Sequence, residues 1–412
     1  MARVFDITLE KPVYGGETLG RLPDGRAVFA PFGLPGERVR VQLTEDKKNF
    51  ARGKLLEVLE PSADRIAAKC RHFAACGGCH YQSLPYEKQL AVKTEILRDQ
   101  LRRIGGIESP PVETMIPSPL EWNYRNHIQF HLTQEGRLGF VNAGGDGVLP
   151  VEECRLPEAG IASFWRNLQF ESGSGVERVS LRAGADGELM VALESDAAEP
   201  PEIEIEADVS AVHLFDNHPV VLAGEGHLFL NVLDRDFRVS AESFFQVNTG
   251  MAAKMTQYLL ALLPDSGFRL LDIYCGVGLF SKFFAERCEK VAGVELSESA
   301  CDDFAFNLDE FDNVELYQGA AEDILPAFDR RVFGAGYCAI VDPPRAGIER
   351  RALDALMRLA PRRIVYVSCD PSTLARDAAR IIKAGYRLER VAPFDFFPQT
   401  YHIETLAVFD AA

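Results

Sequence analysis

The sequence predicts an α/β protein in three parts: a small N-terminal β-barrel over residues 1–62, a β-rich, cysteine-bearing centre over 63–240, and a doubly wound, Rossmann-like parallel sheet over 241–412. Three observations predict it. Alternating stretches such as "AVFAPFGLPGERVRVQL" and "FARGKLLEVLE" are broken by Gly15-Gly16, Asp24-Gly25 and Pro35-Gly36, the punctuation of short strands joined by tight turns. Cysteines crowd into "KCRHFAACGGCHYQ" ahead of a strand-rich stretch. From Pro264 onward apolar strands alternate with helical patterns, which means a parallel sheet covered on both faces.

In the first part Arg26, Arg38, Arg40, Lys47, Lys48, Arg52 and Lys54 either track a phosphate backbone or simply face solvent along the strands. An amphipathic helix follows from about Tyr86 to Arg103, with Leu90, Ile96, Leu97, Leu101 and Ile104 near helical spacing and Gly105-Gly106 as its stop. Between about Tyr124 and Phe237, "HIQFHL" and "RLGFV" flank Gly136 as a hairpin, and the acidic "ESDAAEPPEIEIEAD" reads as a surface connection. The last part draws its strands from "FRLLDIY", "KVAGVEL", "NVELYQG", "CAIVDPP", "RRIVYVSC", "RLERVAPFD" and "IETLAVF". In such sheets ligands lie beyond the carboxyl ends of the strands.

Composition sets limits on function. With 412 residues, 47% hydrophobic and 25% charged, the chain can bury real cores. It has no leader-like apolar segment at its start and no run of the roughly 18 apolar residues a membrane span needs, so a soluble, cytoplasmic monomer is expected. The formal charge is −17, but residues 1–71 hold 13 Lys or Arg against 10 Asp or Glu, so any RNA-binding surface is expected to be local and in the first part. Nine cysteines in such a chain point to a reducing compartment, where clustering means metal or catalysis. Cys275, Cys288, Cys301 and Cys338 lie within predicted elements and are expected to pack.

"LLDIYCGVGLF" puts Asp272, Gly276 and Gly278 at the first strand-to-helix turn of the last part, and Glu295 closes the next strand. Glycines let a backbone approach a cofactor, and an acid at that strand end can hold ribose hydroxyls. A dinucleotide fingerprint would place another glycine at Ser281, so the motif instead resembles the opening of an S-adenosylmethionine-dependent methyltransferase domain. In such domains an Asp-Pro-Pro after the fourth strand lines the transfer site, and Asp342 fills that place in "VDPPRAG". Cys369 in "RRIVYVSCDPSTLARD" ends the fifth strand, with Asp370 as N-cap and Pro371 at the first helical position. A thiol beside a helix N-terminus should ionise more easily, although packing is a common fate for a lone cysteine. C5 of a pyrimidine becomes nucleophilic only after a thiolate adds at C6, and a base must then remove the C5 proton. Glu404 in "FPQTYHIETLAVF" is placed for that base, or for a structural ion pair.

Seven motifs in one order, "CRHFAACGGC", "YRNHIQFH", "FFQVN", "DIYCGVG", "DPPRAG", "YVSCDPSTLARD" and "FPQTYHIET", make nearly the whole chain resemble the iron-sulfur-containing RNA uridine-5-methyltransferases. The first part is similar to the TRAM barrel, an RNA-binding module. The resemblance implies transfer from S-adenosylmethionine to a uridine of 23S rRNA, or alternatively of transfer RNA. It implies Cys369 as nucleophile, Glu404 as base, and cofactor contacts at Gln246, Tyr274, Gly276, Gly278, Glu295 and Asp342. It also implies a [4Fe-4S] cluster on Cys70, Cys76, Cys79 and Cys154, where spacing alone fits zinc equally. Leu279 stands where the family often has Asn, and Ala320 where it often has a polar residue, so cofactor contacts there are expected to be backbone-only or missing. The runner-up chemistry, at cytosine C5, usually carries a second cysteine where this chain has Arg345, and a non-catalytic iron-sulfur RNA-binding protein is the remaining class. The target base must be flipped or looped out. Of the aromatic residues near these motifs, Phe244, Phe245, Phe396 and Phe397 could stack that base but are expected rather to pack in the core, while Tyr124 and Arg125 are secondary candidates for RNA contact.

Overall fold

The computed structural model describes residues 3–204, 206–216, 218–329 and 336–412. Five strands close the N-terminal barrel: β1 (Val4–Val13), β2 (Glu17–Arg21), β3 (Ala27–Pro31), β4 (Arg38–Asp46) and β5 (Phe50–Glu60), in the order β1-β2-β3-β5-β4. Strand alternation sends Ile7, Leu9, Val28, Ala30, Val39, Val41 and Ala51 inward. Of the seven basic residues that either track phosphate or face solvent, five are matched by the barrel's own carboxylates: Arg26 by Asp24 and Asp46, Arg38 by Glu60, Arg40 by Asp6 and Glu57, Lys47 by Glu45, and Arg52 by Glu17. Acids and cations face each other across the pleat, so the strand faces are largely self-neutral. Lys48 and Lys54 form no ion pair among the described residues.

The helix Tyr86–Arg103 forms where its periodicity places it, and Ile104 just beyond it is exposed. Leu97 and Leu101 join the core of the C-terminal sheet, and the chain that follows bridges the edge of that sheet at Val112 with Val391 and at Ile116 with Phe394. The central sheet has seven strands, β6 (His127–Leu132), β7 (Leu138–Val141), β8 (Val148–Pro150), β9 (Val176–Ala183), β10 (Leu189–Ser195), β11 (Ser210–Phe215) and β12 (His218–Ala223), in the order β12-β11-β10-β9-β6-β7-β8. The hairpin around Gly136 is β6–β7, with a φ of 77° at the glycine. The acidic connection lies between β10 and β11, and its residue 205 falls outside the described residues.

A two-stranded ribbon, β13 (His227–Val232) and β14 (Arg235–Ser240), precedes the boundary expected at 241 yet packs on the C-terminal sheet through Leu230, Val232, Phe237 and Val239. That sheet runs β17 (Val314–Gln318), β16 (Cys288–Glu295), β15 (Phe268–Ile273), β18 (Cys338–Val341), β19 (Arg363–Ser368), β21 (Glu404–Ala411), β20 (Tyr386–Phe394). β15 to β19 are parallel, and β21 enters antiparallel to both neighbours. The strand order reverses between β15 and β18, so a crevice opens there at the carboxyl edge. The four cysteines expected to pack, Cys275, Cys288, Cys301 and Cys338, are buried. No helix of the described residues is long and apolar enough to cross a membrane.

Candidate active site

The crevice is a cleft of about 1120 Å³ whose lining includes Gln246, Tyr274, Gly276, Glu295, Asp342, Cys369 and Glu404, side chains that the sequence scatters over 159 positions. After β15 the chain turns sharply, with Tyr274 at φ 64° and Gly276 at φ 53°. Open space lies where a Cβ on Gly276 would stand, and its N–H donates to Glu295 Oε2 at 2.9 Å. The other Glu295 oxygen accepts from the N–H groups of Leu296 and Ser297, which fixes the carboxylate at the rim. Gly278 is different. A Cβ there would meet Leu308 at 2.4 Å and Phe304 at 2.9 Å, and the residue is absent from the cleft lining, so its glycine serves helix packing. Asp272 sits fully buried beneath the turn and accepts from Ser281 Oγ at 2.7 Å. Ser281 thus occupies the place of a third glycine as a partner for that acid.

At the end of β18, burial and the nearby charges of Asp272 and Glu295 push the Asp342 carboxyl up to about 7. The loop beyond it, Pro343 to Ile348, is clamped by Asp377, which is buried and accepts from the N–H of Ile348 at 3.0 Å and from the Tyr366 hydroxyl at 3.0 Å. Asp377 belongs to the same quoted motif as Cys369, yet only the fold reveals that it reaches back to the Asp-Pro-Pro loop.

Antiparallel pairing of Ser368 with Thr405 sets the ends of β19 and β21 level, which brings Cys369 beside Glu404. Burial, followed by the charge of Asp342, raises the Glu404 carboxyl well above its usual range, with Arg345 opposing the rise. The thiol corrects one expectation. Asp370 does cap the following helix, accepting from Ser372 and Thr373, and its charge adds a small opposition to the helix end. Burial and the carboxylates of Glu404 and Asp342 hold the Cys369 thiol up at about 12, against the pull of Arg345. Cys369 in the free protein is therefore harder to ionise than an ordinary cysteine.

The flanking motifs hold the walls. Asn126 of "YRNH" donates to the Gln246 carbonyl at 3.0 Å, and Asn248 of "FFQVN" caps the helix Thr249–Leu262 while donating to the Phe396 carbonyl at 3.0 Å. Tyr124, considered for RNA contact, is instead buried and donates to the Pro398 carbonyl at 3.0 Å. Arg125 lies over the Phe397 ring at 5.5 Å. Phe245 and Phe396 are buried as expected, whereas Phe244 is 71% exposed beside the cleft, because the irregular chain after β14 turns Phe245 inward onto Phe237.

Cys70, Cys76, Cys79 and Cys154 lie outside the cleft and are partly buried. Cys76 interacts electrostatically with Cys70, Cys79 with Cys154 and Cys76, and Cys154 with Cys76 and Cys70. The Gly78 N–H donates to the Cys76 sulfur at 3.4 Å, and the positive charge of Arg125 faces Cys79 and Cys154. Among the described residues, no group of three or more His, Cys, Asp or Glu is arranged to hold a metal ion. The loop is stitched to the cleft wall, since the N–H groups of His80 and Tyr81 both donate to the Gln399 carbonyl.

Residues 227–411 match the family described as tRNA (Uracil-5-)-methyltransferase, and residues 2–56 match the TRAM domain. An uncharacterized RNA methyltransferase of Aquifex aeolicus is 34% identical over 98% of this chain and 98% of its own. Another, of Thermosynechococcus vestitus, is 32% identical over 98% and 97%. The crystal structure of the Pyrococcus abyssi tRNA (uracil-54, C5)-methyltransferase in complex with S-adenosyl-L-homocysteine superposes with a TM-score of 0.75 at 24% identity, covering 98% of this chain and 99% of that one, a likeness of fold.

Proposed function

The chain belongs to the RNA uracil-5-methyltransferase family, and from that premise we propose that it methylates C5 of a uridine by covalent catalysis, with Cys369 as nucleophile and Glu404 as base. The observation that carries this reading is the level pairing of β19 and β21, which sets thiol and carboxyl side by side in the cleft. Cys369 gives up its S–H proton to solvent and its thiolate bonds to C6 of the uracil, while the C5–C6 electron pair moves onto C5 and O4. S-adenosylmethionine, when bound, supplies the electrophilic methyl that C5 takes up. Glu404 then accepts the C5 proton, the C5–C6 double bond re-forms, and the sulfur leaves. Once ionised, with Arg345 favouring that form, the raised carboxyl makes Glu404 a stronger base than an exposed glutamate. For the cofactor, Glu295 and Gly276 fit the sugar side, Tyr274 fits the adenosine, and Asp342 with Gln246 fits the transfer end.

The [4Fe-4S] assignment to Cys70, Cys76, Cys79 and Cys154 is supported by the electrostatic links of Cys76 and Cys154 with the other thiols, the N–H···S bond from Gly78, and the counter-charge of Arg125. In that place a cluster would pin the loop that buttresses Gln399, with no redox part in methyl transfer. Anaerobically purified protein is expected to be brown, with about four iron atoms per chain by elemental analysis. Colourless protein loaded with zinc rejects the assignment.

On the resemblance carried by the seven motifs alone, the substrate proposed is 23S rRNA. Transfer RNA is the second reading, favoured by the matched family's description and by the substrate of the Pyrococcus abyssi enzyme. Mapping 5-methyluridine in both RNAs from a deletion strain separates them. For the mechanism, Cys369→Ala is expected to lose at least about 1000-fold in methylation while keeping cofactor affinity. Glu404→Gln is expected to accumulate an RNA–protein adduct on denaturing gels. Full turnover by Cys369→Ala would overturn the covalent route.

A further inference from the structure

We propose that Tyr14, carried by the N-terminal barrel, is a positioning residue for the thiol loop: its hydroxyl holds Asp370 and so sets the backbone on which Cys369 sits. Tyr14 follows β1 directly, 356 residues from its partner, and donates to Asp370 Oδ2 at 3.1 Å. The other oxygen, Oδ1, accepts from the N–H groups of Ser372 at 2.9 Å and Thr373 at 3.0 Å. The Asp370 N–H donates to Ser368 Oγ at 3.2 Å. Cys369 is thus bracketed by two held residues, and one tie of that bracket comes from another part of the fold.

The same ring packs edge-on against Tyr401 at 5.6 Å, and Tyr401 lies 4.3 Å from His402, two residues before Glu404. One barrel side chain therefore touches the loops that carry both reacting groups. The link also has an electrostatic consequence. Glu404, Asp342 and Asp370 disfavour the Cys369 thiolate and Arg345 favours it. A phenol donating to Asp370 disperses the carboxylate charge nearest in sequence. Burial and Asp370 keep the Tyr14 phenol well above its usual range, with Tyr401 adding to the rise and Arg345 opposing it, so the hydroxyl stays a donor.

This inference rests on Cys369 being the nucleophile. Its test is Tyr14→Phe, which keeps the ring against Tyr401 and removes only the donor. In a Glu404→Gln background, where the adduct accumulates, adduct formation should slow about tenfold and its pH profile should move to higher pH. In the otherwise native enzyme kcat should fall with the RNA KM unchanged. In an Asp370→Asn background the further loss should shrink below about twofold, because the charge that the hydroxyl answers is gone. A Tyr14→Phe protein with the parental adduct rate and pH profile, or with a loss confined to RNA KM, overturns the inference. If Cys369→Ala still methylates, the nucleophile reading fails first; if it is inactive while Tyr14→Phe is unaffected, Tyr14 alone is misassigned.

Discussion

At Cys369 two effects oppose each other. The helix behind it offers a positive end, but Asp370 occupies that end, and burial among carboxylates outweighs what remains. Below the thiol's value of about 12 the thiolate fraction rises tenfold for each pH unit. Alkylation of Cys369 by iodoacetamide, followed by peptide mass spectrometry, should therefore accelerate without levelling between about pH 6 and pH 10. A plateau near neutral pH would contradict it. Glu404 adds a stability statement. Its folded-state carboxyl lies above the unfolded value, so its contribution to stability is present below the unfolded value and is lost as pH rises through the folded one. Glu404→Gln should accordingly melt higher than the parent at about pH 8 by some 2–4 °C, with the gap closing at about pH 5. An equal gap at both values would show that ionisation is not its source.

The level ends of β19 and β21 bring Cys369 and Glu404 together, and the loop from Asp395 to His402 completes the wall. A buried ion pair secures that loop. Lys93, on the inner face of the helix Tyr86–Arg103, donates to Asp395 at 2.6 Å and to the Phe397 carbonyl at 3.0 Å, and both charged side chains are 0% exposed. Removing one partner strands the other charge in the core. Lys93→Met should therefore cost about 3–5 kcal/mol in urea unfolding, while Lys93→Met with Asp395→Leu recovers much of it. A double variant no more stable than the single would show that the pair is not the source of the loss. The sequence disclosed this helix to the residue, because a run of leucines and isoleucines at helical spacing is a local signal. It hid Lys93, since a lysine beside those positions reads as solvated until the fold supplies Asp395 some 300 residues away. Gly278 misleads the other way: one sequence pattern covers a glycine facing the cleft and a glycine packed under Leu308. The motifs that carry Cys369 and Asp342 are legible because they end strands, whereas Asp377, Asn126 and Tyr14 act across elements and leave no spacing to read.

Over the whole molecule, charge is segregated less than the basic count of the first part suggests. The sequence places cations on the barrel but is silent on which carboxylates stand opposite them, and that depends on register. With Arg26, Arg38, Arg40, Lys47 and Arg52 already paired, the barrel offers RNA chiefly Lys48 and Lys54. A paired arginine that turns to phosphate must first surrender its carboxylate, so its net gain is small, while a free lysine releases counterions outright. If the barrel meets RNA through free cations, Lys48→Ala with Lys54→Ala should reduce the slope of log K against log salt by about 1.4, at about 0.7 per single-strand phosphate contact. Arg40→Ala, held by Asp6 and Glu57, should leave that slope unchanged within about 0.3. Binding isotherms over a salt series decide the matter: equal slope losses from both variants would mean that the ion pairs open for RNA, and no loss from the lysine variant would move the RNA path off this face of the barrel.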